Sequence, residues 1–226
     1  MNILVLGKGK TGALVAEMAH ARGHSITSVS SADNASGAAL TAEKLADIDV
    51  VIDFTTPHAV LENISAVARA GKRMVVGTTG WYGEMDYVRK LVEEHKTGLI
   101  WGSNFSIGVN IFFEAVRSAA AAANFGYAIR ILERHHAQKK DAPSGTAVTI
   151  QQIINEVGGV KPEITSIREG ETVGTHVTFL DSENDSMMLV HDAKSRRGFA
   201  EGAVRAAEWL DGKTGFYEFK DIFREM

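Results

Sequence analysis

Residues 2–12 read NILVLGKGKTG, a short apolar run from Ile3 to Leu6 followed at once by glycines at 7, 9 and 12. What comes next decides how to read it. Leu14, Met18 and Ala21 share one face of a helical stretch that Gly23 ends, and Ser25 to Ser30, carrying Ile26 and Val29, reads as a second strand. Strand, glycine turn, helix and strand form one βαβ unit of about thirty residues. In that setting a Gly-x-Gly-x-x-Gly turn lets the backbone approach a pyrophosphate, whose charge the helix start stabilises through its unpaired N–H groups and dipole. Gly7, Gly9 and Gly12, with Lys10 and Thr11 between the last two, are therefore candidate dinucleotide contacts. The competing reading is a tight turn with no ligand.

The choice between NADH and NADPH stays open. A site that prefers NAD usually places Asp or Glu about 20 residues beyond the glycines, against the ribose hydroxyls. Here Ser30 and Ser31 stand in that place with Asp33 slightly late, and no nearby arginine offers a clamp for a 2′-phosphate. Further along, Val50 to Ile52 read as a buried strand leaving through Asp53-Phe54-Thr55-Thr56-Pro57, and a helix from about His58 to Ala70 ends at Gly71. RMVVGTTG (73–80) and GLIWGSNFSIGVN (98–110) repeat the strand with a glycine and hydroxyl exit. Ligands of an open parallel sheet bind at the carboxyl ends of its strands, so these exits, Thr55 and Asn104 included, offer cofactor contacts. Thr and Gly are also ordinary turn residues.

After Asn104 the rhythm changes. VNIFFEAVRSAAAAANFG (109–126) reads as a long Ala-rich helix and YAIRILERHH (127–136) as a strand. His176 to Leu180 and Met187 to Val190 alternate about an Asn184-Asp185 turn, the pattern of an antiparallel hairpin. The fold class expected is α/β: a Rossmann-type N-terminal dinucleotide-binding domain, residues 1–104 with 195–226, and an α+β C-terminal substrate and oligomerisation domain, residues 105–194. The terminal helix, with Ala203, Ala207 and Leu210 on one face, is expected to return toward the first domain.

ERHHAQKKDAPSGTA (133–147) concentrates the chemistry. Ala147, Ile150, Ile154 and Val157 follow at helical spacing behind Pro143, so Ser144, Gly145 and Thr146 present N–H groups and two hydroxyls at a helix start, where a carboxylate is favoured. Lys139 adds a charge of matching sign. His135 and His136, pointing opposite ways at a strand end, can divide between proton donation and ligand binding. The alternative is an ordinary helix cap at Asp141 or Ser144 among solvated neighbours. A metal site is not expected, because adjacent strand histidines diverge and no carboxylate or third histidine is spaced to complete an open site.

Composition narrows the classes. The 226 residues are 45% hydrophobic and 23% charged with a formal net charge of −4, which suits a globular protein and argues against a nucleic-acid binder. No apolar run approaches a membrane span and the N-terminus lacks a signal-like pattern, so a cytoplasmic protein without nucleic-acid or membrane partners is expected. The chain has no cysteine, which removes thiol nucleophiles, thiolate metal sites and disulfides.

The string HHAQKKDAPSGTA resembles the signature of the dihydrodipicolinate (4-hydroxy-tetrahydrodipicolinate) reductase family of lysine and diaminopimelate biosynthesis. GKGKTG, DFTTP, VVGTTG, SNFSIGVN, REGETVGTH and SRRGFAEGAVRAAEWL extend the resemblance in the family's order over most of the chain. It implies NADPH- or NADH-dependent reduction of a small cyclic dicarboxylate imine, with hydride passed to the ring and a proton to the resulting enamine. By the same resemblance His135 is the proton donor, Lys139 its catalytic partner, and His136, Ser144, Gly145, Thr146 and Arg196 lie on the substrate. Gly7, Gly9 and Gly12 match the pyrophosphate loop, and Phe54, Gly77, Thr79 and Phe105 match residues near the nicotinamide and its ribose. The family implies a homo-oligomer, tetramer or dimer. Only about twenty residues separate SGTA from REGETVGTH, which makes this a short member, and Ser30, Ser31 and Thr56 replace residues that bear on cofactor preference elsewhere in the family. A different two-domain dehydrogenase or a non-catalytic dinucleotide sensor would share the glycine loop but would have no need of the whole K-x-D-A-P-S-G-T run.

Overall fold

A computed structural model describes residues 1–226, the side chain of Ser36 excepted. It divides into two compact units: residues Met1–Ile107 with Arg197–Met226, and Gly108–Arg196.

The first unit is a parallel sheet wrapped by helices. In chain order it contains β1 (Asn2–Leu6), α1 (Lys10–Ala21), β2 (Ser25–Val29), α2 (Ala42–Leu45), β3 (Val50–Asp53), α3 (Val60–Arg69), β4 (Arg73–Val76), α4 (Met85–Glu94) and β5 (Gly98–Trp101). After the second unit come α7 (Arg197–Leu210), β10 (Gly215–Glu218) and α8 (Phe219–Ile222). The strands lie in the order β10-β5-β4-β3-β1-β2, every pair parallel. A parallel sheet covered on both faces needs apolar side chains in both directions, and β1 supplies them by alternation. Ile3 and Val5 enter one core with Val15 and Ala19 of α1 and Ala203, Val204 and Leu210 of α7. Leu4 and Leu6 enter the other with Ile64 and Val67 of α3 and Val88 and Leu91 of α4. Gly23 and Gly71, at positive φ of 87° and 67°, close α1 and α3. β1 lies between β3 and β2, so the chain leaves it in one direction and later resumes on its other side. That reversal opens a crevice at the carboxyl end of β1, where the glycine turn stands.

The second unit holds α5 (Ile107–Ala120, its first residue in the first unit), β6 (Ala128–His135), α6 (Gly145–Gly158), β7 (Ile164–Arg168), β8 (Gly174–Asp181) and β9 (Ser186–Ala193). The strand order is β7-β6-β8-β9, with β6 parallel to β7 across the α6 crossover and antiparallel to β8, which forms a hairpin with β9. Phe112 and Val116 of α5 and Ala147, Ile150 and Ile154 of α6 pack on Ile129, Ile131 and Leu180 of the sheet. The buried face of β6 runs Ile129, Ile131, Glu133, His135. It starts as hydrophobic core and ends as a pair of ionisable groups.

α4, β7 and β10 are elements that hydrophobic pattern alone leaves unassigned. β10 is four residues of GFYE at a sheet edge, too short for alternation to declare itself. Among the described residues no helix is long and apolar enough to cross a membrane.

Candidate active site

In the first unit a cleft of about 290 Å³ opens at the ends of β1, β3 and β4. Gly9, Lys10, Thr11 and Gly12 form one wall, Phe54, Thr55 and Pro57 a second, and Gly77, Thr78 and Thr79 a third. The glycines differ in why they are glycine. Gly7 has φ 96°, and a Cβ there would lie 2.2 Å from the Phe54 carbonyl oxygen. At Gly12 it would lie 1.9 Å from the Gly7 carbonyl oxygen, and at Gly77 2.2 Å from the Phe54 ring. Packing demands those three. Gly9 has φ −70°, which any residue adopts, and no atom within 4 Å of where a Cβ would stand. Neither backbone nor packing requires its bareness, which leaves open space beside the helix start.

α1 starts at Lys10 behind the N-cap Gly9, with no side-chain cap and no acidic residue in its first turn. An uncapped helix start with a cation suits a pyrophosphate. The cleft therefore fits a dinucleotide, whose phosphates Gly9, Lys10, Thr11 and Gly12 would face. Behind it Asp53, fully buried, accepts hydrogen bonds from Thr78 Oγ1 (2.6 Å), Thr55 Oγ1 (2.8 Å), Thr55 N (2.9 Å) and Asn63 Nδ2 (2.8 Å). Burial pushes its carboxyl upward and these donors oppose it. Asp53 thus ties the exits of β3 and β4 together. Not all expected cofactor residues line the cleft: Ser30 bonds Asp33 (2.5 Å), Asn104 Oδ1 accepts from Ser106 N (2.9 Å), and Phe105 is buried against Phe219, ring centroids 4.6 Å apart.

The second unit gathers a polar cluster at the end of β6. Glu133 and His135, two residues apart on one strand, share a face, and pairing sets Glu133 opposite His176 of β8. His135 Nδ1 is hydrogen-bonded to Glu133 Oε2. The other oxygen, Oε1, accepts from Arg168 Nη2 of β7 (2.7 Å) and Ser144 N (3.3 Å). Burial resists ionisation of Glu133, but the hydrogen bonds from Arg168, Ser166 and His135 together outweigh it and hold the carboxyl below its ordinary range. For His135 burial prevails over the pull of Glu133, and its pKa is lowered. His176 is more deeply enclosed, pushed down to about 4 by burial and by the neighbouring His135. The two imidazoles meet edge to face at 5.2 Å.

Ser144 is an N-cap, as the plainer reading had it: its Oγ accepts from Ala147 N (3.2 Å) and pairs with His176 Nε2 (3.0 Å). Its hydroxyl is occupied within the protein and its N–H already serves Glu133. Gly145 and Thr146 begin the helix, and Gly145, like Gly9, has nothing within 4 Å of a would-be Cβ. Lys139 Nζ bonds Asp141 (2.8 Å), and His136 Nε2 lies 3.4 Å from Arg196 Nη2 with its Nδ1 buried and unpartnered.

One expectation needs correction. Glu133, His135 and His176 bring a carboxylate and two imidazoles within 4.8 Å of one another, so the statement that no carboxylate or further histidine completes a metal-like set does not hold. The cause is strand pairing, which carries His176 across from β8. The Arg168 guanidinium on Glu133 and the Ser144 hydroxyl on His176 still occupy these donors, which disfavours a cation.

Residues 1–105 match the family model described as dihydrodipicolinate reductase, N-terminus, and residues 108–223 the one described as dihydrodipicolinate reductase, C-terminus. The chain belongs to the dihydrodipicolinate reductase family. A 4-hydroxy-tetrahydrodipicolinate reductase of Christiangramia forsetii is 37% identical over 242 residues, spanning 100% of this chain and 99% of that protein. Another, from Methanospirillum hungatei, is 39% identical over 206 residues, 81% of each. The solved dipicolinate-bound dihydrodipicolinate reductase of Paenisporosarcina sp. TG-14 shares the fold, with a TM-score of 0.81 at 24% identity over 98% of this chain and 99% of that one. Within the dihydrodipicolinate reductase motifs, three site residues went without a role on sequence alone: Glu133, Arg168 and His176. The signal was present as Glu-x-His at strand spacing and as the Arg and His of REGETVGTH, but their meeting depends on the register of three strands.

Proposed function

We propose that this chain is a 4-hydroxy-tetrahydrodipicolinate reductase, reducing its substrate to tetrahydrodipicolinate with NADPH or NADH in lysine and diaminopimelate biosynthesis. The observation that carries this reading is the end-to-end correspondence with a relative of that name. Unit 1 is the dinucleotide-binding part, and unit 2 the substrate-binding and oligomerisation part. The bound reduced nicotinamide supplies a hydride. Gly9 leaves the helix start bare for the phosphates, while Asp53 fixes Thr55 and Thr78 at the cleft wall.

His135 delivers the proton from Nε2, and Glu133 on Nδ1 stabilises the imidazolium that precedes delivery. The lowered pKa leaves His135 neutral in the free protein near neutral pH, so protonation accompanies arrival of a dianionic substrate. Lys139, His136, Arg196 and the starts of Gly145 and Thr146 hold the carboxylates. Ser144 contributes by using its hydroxyl to cap the helix and pair with His176 rather than by offering it to the substrate. A cytoplasmic location and a homo-oligomer, dimer or tetramer, belong to the same reading. The second is supported by Met188 and Val190, 59% and 53% exposed on the edge strand β9.

The test is direct. The condensation product of pyruvate and aspartate semialdehyde is mixed with the protein and NADPH or NADH, and nicotinamide absorbance is followed. Consumption with at least one cofactor is expected, and none with either overturns the assignment.

A further inference from the structure

We propose that Glu133 is the positioning residue of His135, fixing the Nδ1–H tautomer so that Nε2 is the working nitrogen, with Arg168 keeping Glu133 in place as a carboxylate. This rests on the reading of His135 as proton donor. A carboxylate only accepts hydrogen bonds, so the nitrogen of His135 in contact with Oε2 must carry the hydrogen. Nε2 then emerges beside Gly174, where a Cβ would stand 2.9 Å away. The missing side chain leaves that nitrogen clear.

Glu133 is itself held by Arg168, Ser166 and Ser144 besides His135. Arg168 Nη2 donates to Oε1 (2.7 Å) and also to the Asp141 carbonyl (2.6 Å), while Nη1 donates to the Ile167 carbonyl (2.8 Å), so the guanidinium is clamped between β7 and the 139–143 loop. With Ser144 N on the same oxygen, the carboxylate has one orientation open to it and one oxygen left for His135. The charged and titratable groups around His135 are Glu133 on its own strand, His176 on β8, Arg168 on β7, and Lys139 and Asp141 on the loop, with His191 of β9 acting on His176. Glu133 alone among His135's charged influences draws its proton affinity upward; Lys139 and Arg168 work the other way.

This arrangement makes a specific demand on Glu133→Gln. Arg168 and Ser144 both donate to the Oε1 position, so the amide carbonyl must take it and the amide NH₂ must face His135 Nδ1. The imidazole is forced into the Nε2–H tautomer, the wrong one to be left after donating from Nε2. Ring ¹⁵N shifts of His135 in the full-length protein read the tautomer without any turnover. Wild type is expected to show Nδ1–H and E133Q to show Nε2–H, with kcat lowered at least ~100-fold and KM for both substrates within about threefold. The limb of the kcat profile that reports His135 should also move to lower pH in E133Q. A structural role alone would lower the melting temperature and move neither tautomer nor profile.

Neutral His135 as Nε2–H in wild type overturns the proposal, and so does E133Q with unaltered kcat or with the Nδ1–H tautomer retained. The wild-type measurement stands even if E133Q folds poorly. His135→Gln separates the two readings: retained kcat there removes His135 as donor, whereas the ¹⁵N result judges the Glu133 arrangement independently.

Discussion

Gly9 and Gly12 lie three positions apart, at the N-cap and in the first turn of α1, yet their surroundings differ, and the difference can be measured. A methyl at Gly12 would meet the Gly7 carbonyl oxygen at 1.9 Å, and backbone cannot rotate aside as a side chain can. Overpacking of this kind costs about 1–3 kcal/mol or more, and for a chain of this size each kcal/mol moves the melting temperature by about 2–4 °C. Gly12→Ala is therefore expected to melt several degrees early and to bind NADPH poorly. Gly9→Ala meets no protein atom within 4 Å and no forbidden φ, so its melting temperature should stay within about 2 °C of wild type. On the proposed reading its methyl instead enters the space that the phosphates take, and the NADPH dissociation constant should rise about tenfold or more. Equal cofactor affinity in Gly9→Ala and wild type, by fluorescence titration, would remove the argument that this position is bare for a ligand.

At the level of strands and helices, the limits of reading a sequence become physical. The glycine loop, the strands around Val50, Val75 and Ile100 and the hairpin through Asp185 are local signals, and they are legible because period and turn chemistry sit within a few residues of one another. Most of the nucleotide cleft is legible for the same reason. The buried cluster around His135 is not, because Glu133, Arg168 and His176 lie on β6, β7 and β8, and only pairing in register (Glu133 opposite His176) makes them neighbours. That pairing also stores a pH dependence. His176 has a folded pKa of about 4 against an ordinary 6.5, so between those values the unfolded chain binds the extra proton and the folded one refuses it. Stability from this residue is complete above about pH 6.5 and lost as pH falls toward 4, a difference of about 3 kcal/mol. Urea unfolding between pH 7 and pH 4 should show that loss in wild type. His176→Gln, which cannot titrate, should be less stable at pH 7 but show a shallower decline. Parallel curves for the two proteins would mean that His176 is not the source.

The chain as a whole builds its first unit from segments that the second unit separates in sequence. The C-terminal segment is no appendage. Val204, Leu210, Phe219, Ile222 and Phe223 enter the same core as Ile3, Val5, Val15 and Ile52, and Gly202 packs so close that a Cβ would stand 1.7 Å from the Phe105 carbonyl oxygen. β10 also completes the sheet beside β5, in register from Gly215 against Gly98. At about 2 kcal/mol for each buried large side chain, those five residues contribute about 10 kcal/mol, which is comparable to the whole net stability of a typical domain, about 5–15 kcal/mol. A chain ending at residue 196 should therefore lose the first unit altogether, although it keeps every residue of the nucleotide cleft and of the His135 cluster. It is expected to lack a cooperative thermal transition for that unit and to show no NADPH binding by calorimetry. Supplying residues 197–226 as a separate peptide should restore part of both, since the missing surface is a packed face and a sheet edge. NADPH binding by the truncated chain at wild-type affinity would show that residues 1–107 fold unaided and that the returning helix is dispensable to the site.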